Sequence, residues 1–339
     1  MTRTLVTGGS GFVGQQLVAA LLERGDSVRI LDLRSPERAS AGAHYIRGSV
    51  LDPALVREAL DDVEEVYHLA ALPGMWMPRK ADFHDVNCHG TEVVIAAARE
   101  RGVRRFLHCS TESILFGRSN TDAVVTELTR TTVDEMPGAY TRSKMLAEQC
   151  AMRAAASGFP VVIANPTMPI GPHRQLTPPT EMLRYFLSRH VQIYVDFVLN
   201  LVDVRDVAAG LLLTMERGQI GQRYILGGED LSLRKLLDTL ATISDRNALR
   251  IPFPGGIARV MAAAMEFIAD HVTHRSPAAT VEGVRIALRS KALSLEKSRR
   301  ELGYAPRPIE PALREVIATV LAEPIKTRYP SAASYKSEF

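Results

Sequence analysis

The sequence predicts an α/β chain: a doubly wound parallel sheet, then a smaller C-terminal substrate-binding lobe. Two observations carry this. Over residues 1–165 short apolar runs alternate with helical segments, and after Pro166 the texture becomes proline-rich and irregular. Apolar runs bounded by helices read as strands buried on both faces, and strand–helix alternation implies parallel pairing with helices on each side.

The strands are "TLVTG" (4–8), "SVRILD" (27–32), "EVYHLAA" (65–71), "RFLHCST" (105–111) and "PVVIAN" (160–165). Between them "GQQLVAALLERG" (14–25), "ALVREALDD" (54–62), "NCHGTEVVIAAARERG" (87–102) and "TRSKMLAEQCAMRAAASG" (141–158) read as helices, three of them closing on Gly25, Gly102 and Gly158 as C-terminal caps do. Residues 166–325 read as the lobe that closes over a ligand, with some segments free to rejoin the sheet. Residues 326–339 lack periodicity and read as a loose tail.

Composition narrows the class. With 46% hydrophobic and 23% charged residues, 339 residues suffice for one large core and an added lobe. A net charge of +3 with dispersed basic residues is no nucleic-acid footprint. Cys88, Cys109 and Cys150 have no metal-ligand spacing and fit a reducing cytoplasm, and no metal is expected. No secretory apolar segment precedes the first strand, so a cytoplasmic protein is expected. The apolar stretch 257–272 carries Arg259, Glu266 and Asp270, which excludes a simple membrane span. Its apolar residues fall broadly on one helical face. Core packing is one reading, and a lid in peripheral contact with a membrane is the other.

"TGGSGFVG" (7–14) places Gly8, Gly11 and Gly14 between a strand and a helix. Glycines there let the backbone turn tightly and bring a pyrophosphate to a helix N-terminus, as in a Rossmann sheet. The next strand ends in Asp32, where a carboxylate accepts from both ribose hydroxyls of NAD and repels a 2′-phosphate. Arg34 follows and leaves NADP open as the alternative. Tyr140 and Lys144 lie one helical turn apart in "AYTRSKMLAE" (139–148). A tyrosine is a poor base near neutral pH, and a neighbouring ammonium favours its phenolate.

Together these motifs resemble the extended short-chain dehydrogenase/reductase family of the NAD-dependent epimerase/dehydratase type, across nearly the whole chain. "NLVDVRDVAAG" (200–210) and "ELGYAPRP" (301–308) match its later signatures. The resemblance is nearest a branch holding hopanoid-associated epimerases, 3β-hydroxysteroid dehydrogenases and dihydroflavonol-4-reductases. It implies that Tyr140 moves the proton, Lys144 also bonds the nicotinamide ribose, Thr111 holds the substrate oxygen and Asn87 carries the proton relay, with a helix N-cap as the other reading of Asn87. It extends the cofactor surface to Phe12, Val13, Ser49, Val50, Leu69, Ala70, Ala71, Pro166 and Thr167, and implies a homodimer through two helices of the first domain.

Three departures stand out. "STESILFG" (110–117) is one residue longer than the family pattern, with Phe116 in a tyrosine position; counting back from Gly117 puts Glu112 where counting forward from the strand puts Thr111. Ser49 replaces an acidic adenine contact, which Asp52 replaces only in part. Asp203 and Arg205 replace the usual His and Asp, and the sequence offers no interpretation.

Residues expected to face the substrate are apolar: Met75 and Trp76, flanked by Met77, and Met168, with Glu112 beside them. His173 and Arg174 are the candidates for a diphosphate, and a solvated loop explains them as well. The expected activity is therefore alcohol–ketone interconversion on a bulky apolar, sterol- or isoprenoid-like molecule, with 3β-hydroxysteroid oxidation as a special case. The alternatives are a nucleotide-sugar epimerase and, against the intact Tyr140–Lys144 pair, a non-catalytic dinucleotide sensor.

Overall fold

The structure, a computed structural model, describes residues 1–35, 40–119, 121–172 and 177–322. The tail expected at 326–339, with His173 and Arg174, lies outside the described residues. Seven parallel strands form the main sheet in the spatial order Arg223–Leu226, Val161–Pro166, Arg105–Cys109, Glu65–His68, Arg3–Thr7, Ser27–Asp32, Ala43–Arg47. From Arg3–Thr7 the chain winds outward on one side and then returns to Glu65–His68 on the other. That reversal makes a crevice at the carboxyl ends of the strands, where ligands bind in such sheets.

The continuous apolar runs are explained by the pleat. Leu5, Phe106, Val161 and Ile163 project into one buried layer with Val94, Ala98 and Ala151 of the covering helices. Their neighbours Val6, Leu107, Val162 and Ala164 project into the opposite layer with Leu17, Leu21 and Leu211. Successive side chains point to opposite faces, so a strand covered on both sides must be apolar at every position.

Two elements differ from expectation. Ala43–Arg47 is a strand that the sequence did not announce, because it is an edge strand with no fully buried residue and no apolar run. The helix expected from Asn87 starts earlier: Ala81–Phe83 is helical, His84–His89 forms a π-helical turn, and Gly90–Glu100 continues as α-helix. Asn87 therefore sits inside a helix and not at its start.

Beyond Pro166, Arg223–Leu226 joins the main sheet, while Met168–Ile170, Val198–Asp203 and Glu229–Ser232 make a three-stranded sheet of their own. Helices Pro178–Leu187, Leu233–Ser244 and Glu310–Ala322 close around it on Leu183, Leu201, Leu236 and Leu313. Asp203 and Arg205 have a structural task here. Asp203 caps the helix Val204–Arg217 by accepting from the Arg205 amide at 2.8 Å, and the Arg205 guanidinium pairs with Asp203 at 2.6 Å and with Glu315 of the last helix at 3.1 Å. No described helix is long and apolar enough to cross a membrane.

Candidate active site

The first strand ends in a turn that only glycine fits. Gly8 has φ +73°, and a Cβ on it would lie 2.7 Å from the Ala70 amide nitrogen. A Cβ on Gly14 would strike the Gly8 carbonyl. Helix Phe12–Glu23 begins at Gly11 with no side-chain cap and no acidic residue in its first turn, which leaves its amides and the positive end of its dipole for an anion. The Ser10 hydroxyl beside it is buried with no partner among the described residues. Asp32 closes the second strand and accepts from the amides of Ser10 and Arg34, each at 3.0 Å. Burial raises its carboxyl above the ordinary range, and those amides act in the opposite direction. A cradle without side chains, an open helix end and a carboxylate at the next strand end fit a dinucleotide.

The remaining sequence-selected residues divide by location. Leu69 and Ala70 lie against the turn, the Ala70 amide donating to the Thr7 hydroxyl at 3.3 Å, and Ala71 follows half-buried. Pro166 ends the Val161–Pro166 strand and Thr167 follows it, its buried hydroxyl without a partner among the described residues. Phe12 and Val13 open the first helix, half-buried. Val50 packs where a Cβ on Gly90 would meet it at 2.8 Å. Ser49 spends its hydroxyl on the Leu51 amide at 3.1 Å, and Asp52 is committed as N-cap of helix Pro53–Ala59. Met168 packs against the core of the second lobe.

Tyr140 and Lys144 ride on helix Ala139–Ala156. Lys144 is buried and donates to the Cys109 carbonyl at 2.7 Å, which holds the ammonium against the end of the strand Arg105–Cys109. Burial lowers its affinity for the proton. The same strand delivers Thr111, whose hydroxyl donates to Glu112 Oε2 at 2.8 Å. The extra residue of "STESILFG" is absorbed by a 3₁₀ turn, Glu112–Leu115, capped by Thr111 and packed through Ile114, Leu115 and Phe116. Both residues competing for the hydroxyl position thus lie at the site. Burial pushes the Glu112 carboxyl up to about 7. Burial, and then the Glu112 charge, raise the Tyr140 phenol, while Thr111 acts to lower it.

Asn87 is fully engaged: its Oδ1 accepts from the Leu72 amide at 2.7 Å and its Nδ2 donates to Ser143 Oγ at 2.9 Å, which in turn donates to the Tyr140 carbonyl at 2.7 Å. It fastens the loop after Glu65–His68 to helix Ala139–Ala156. Leu72 and Met77 of that loop, with Phe83 and Val86 of the helical segment that follows, form a buried cluster against Tyr140. Met75 packs between this loop and the Ile114 cluster. Trp76 is buried, its indole donating to Asp270 at 2.7 Å.

Some site residues carried no signal in the sequence. His68, inside an apolar run, bridges Thr7 at 2.8 Å and Thr91 at 2.9 Å, and burial followed by the Lys144 charge lowers it to about 3, so it is neutral. Glu282, from helix Val281–Arg289, accepts from the Tyr140 amide at 3.2 Å and from the Thr141 amide at 2.7 Å, capping helix Ala139–Ala156 from far along the chain. Its only sequence cue is an acidic residue in the first turn of another helix.

Residues 4–227 match the NAD dependent epimerase/dehydratase family. The chain belongs to that family. Its cofactor is NAD and the chain is an oxidoreductase of this type. Among relatives, it is 34% identical over 320 residues to a Synechocystis sp. protein named as a candidate dihydroflavonol 4-reductase (92% of each chain). It is 30% identical to sterol demethylase protein B of Methylococcus capsulatus (93% of this chain, 97% of the other). It is 32% identical to the 4-hydroxy-2-methyl-3-oxo-4-farnesyl-3,4-dihydroquinoline-1-oxide ketoreductase of Stigmatella aurantiaca (90% and 92%).

Proposed function

We propose that this family member interconverts a secondary alcohol and a ketone on a bulky apolar molecule of sterol or isoprenoid type. The observation that carries this reading is the apolar bed under Tyr140, whose ring packs on the buried cluster of Leu72, Met77, Phe83 and Val86. Two relatives named for sterol demethylation and for a farnesyl-bearing ketone agree with it.

Gly8, Gly11, Gly14 and the start of helix Phe12–Glu23 would hold the pyrophosphate of NAD, and Asp32 its adenosine ribose. The bound nicotinamide supplies the hydride acceptor and a positive charge. Tyr140 takes the carbinol proton, Thr111 orients the substrate oxygen, and Lys144 holds a cation one turn from the phenol, braced on the Cys109 carbonyl. Asn87 keeps the loop and the catalytic helix in register through Leu72 and Ser143. We read the working form as a cytoplasmic homodimer paired through two helices of the first domain.

The test incubates purified protein with NAD and, separately, hydroxysteroids and nucleotide-sugars. Stoichiometric NADH with a hydroxysteroid is expected, and Tyr140→Phe should lose roughly 10²–10⁴-fold in turnover while still binding NADH. A sugar altered by NMR with no NADH released would replace this reading by an epimerase.

A further inference from the structure

Helix Gly255–Ile268 and the π turn Ala269–Thr273 expose a long face that carries no acidic, Lys or Arg side chain. Ile257, Val260, Met261, Phe267, Ile268 and Val272 are all exposed, Val260 and Val272 at 68% and Phe267 at 62%. Exposed Ala263 and Ala264 fill the gaps, while Ala262 and Ala269 are buried on the other side. At helical spacing these exposed residues share one side of the helix. From Ile257 to Val272 the stripe runs roughly 24 Å, long for an apolar patch left in water.

The acids of this segment turn inward. Lys80 binds Glu266 at 3.4 Å and Asp270 at 3.2 Å, and Glu266 also accepts from the Val281 amide at 2.9 Å. Asp270 takes the Trp76 indole as well. These bonds latch the helix to the loop that walls Tyr140. Arg259, on the helix, and Arg275, just past the π turn, are exposed, and His271 and His274 stand exposed beside Val272 in the sequence. The strand pair leading into the helix also exposes apolar side chains: Val191 faces Leu249 and Ile193 faces Ile251 across the ladder.

We infer that this helix lies flat on a lipid bilayer containing anionic headgroups, its apolar stripe in the acyl boundary and Arg259 and Arg275 among the phosphates. The inference deepens the apolar-substrate reading and rests on it: a lipid-like substrate would pass from the bilayer to the loop of Trp76 and Met77. An apolar face with one exposed arginine on its helix and another just past its end is complementary to such a surface. In a symmetric contact with a second copy the same two arginines would face their own copies.

The experiment is flotation of the full chain with vesicles of phosphatidylcholine mixed with phosphatidylglycerol, and with phosphatidylcholine alone. Wild type should float with the mixed vesicles, less so at high salt. Val260→Glu combined with Phe267→Glu should reduce the bound fraction about tenfold or more. Arg259→Ala with Arg275→Ala should weaken binding to the mixed vesicles several-fold and leave phosphatidylcholine binding unchanged. NADH fluorescence titration and turnover of a detergent-solubilised hydroxysteroid should be the same for all three proteins, which separates failure of docking from failure of the functional reading. Wild type that stays off the mixed vesicles, a double glutamate variant that floats equally well, or light scattering in which that variant splits a wild-type dimer would each overturn the inference.

Discussion

A carboxyl group buried beside a phenol opposes that phenol's ionisation, and Glu112 stands in this relation to Tyr140. Its own titration has a consequence for stability. The Glu112 carboxyl is raised by burial to about 7 from an ordinary value of 4.5, so the folded state binds a proton that the unfolded state has released between those two values. Stability therefore gains as pH falls from 7 to 4.5, and the cost of the buried charge is complete above 7. Glu112→Gln should be more stable than wild type at pH 8, by about 3 kcal/mol at most, with the difference closing near pH 4.5. Urea unfolding across that range checks it; a difference independent of pH would show that Glu112 is not held neutral. That Tyr140 and Lys144 share a helix face and that Thr111 follows a strand end was legible, because each position is a fixed offset from a local element. His68 was not, because a neutral imidazole bridging Thr7 and Thr91 looks like one more position of an apolar run.

Among the elements, the helix of Tyr140 and Lys144 depends on a cap from another part of the chain. Glu282 holds its first amides, and a Cβ on Gly138 would collide with that carboxylate, so the glycine makes room for the cap. A negative charge at a helix N-terminus stabilises the helix, and this one also raises the Tyr140 phenol. Glu282→Gln keeps the shape and removes the charge. The expected result is a loss of roughly 1–2 kcal/mol in stability, together with a shift of the acid limb of kcat/KM to lower pH. A pH–rate profile decides it: an unmoved limb would leave Glu282 a purely structural cap. The π turn His84–His89 belongs to the same scale. Helical periodicity located the helix, but not the π turn that holds Asn87 where it reaches Leu72 and Ser143.

Across the whole molecule, Arg223 ties segments far apart in sequence. Its guanidinium donates to the carbonyls of Glu127 at 2.8 Å and Thr129 at 2.7 Å, and it pairs with Glu148 of helix Ala139–Ala156 at 2.9 Å. Glu148 also accepts from Asn165 at 2.8 Å. Both members of the ion pair are largely buried, so Arg223→Met leaves a carboxylate uncompensated and should cost about 3–5 kcal/mol. A lower urea midpoint with unchanged NADH affinity is the expected result, and an unchanged midpoint would contradict it.

The alternation of apolar runs and helices, the glycine pattern and the spacing of Tyr140 and Lys144 determined by themselves the parallel sheet, the turn that only glycine fits and the placing of that pair on one helix, because each depends on neighbours a few residues apart. The tertiary structure decided the rest. It turned Glu282 onto helix Ala139–Ala156, gave Asp203 and Arg205 a capping task, and left the stripe from Ile257 to Val272 facing outward. A helical face has the same pattern whether it is buried or exposed, and only the path of the whole chain settles what lies against it.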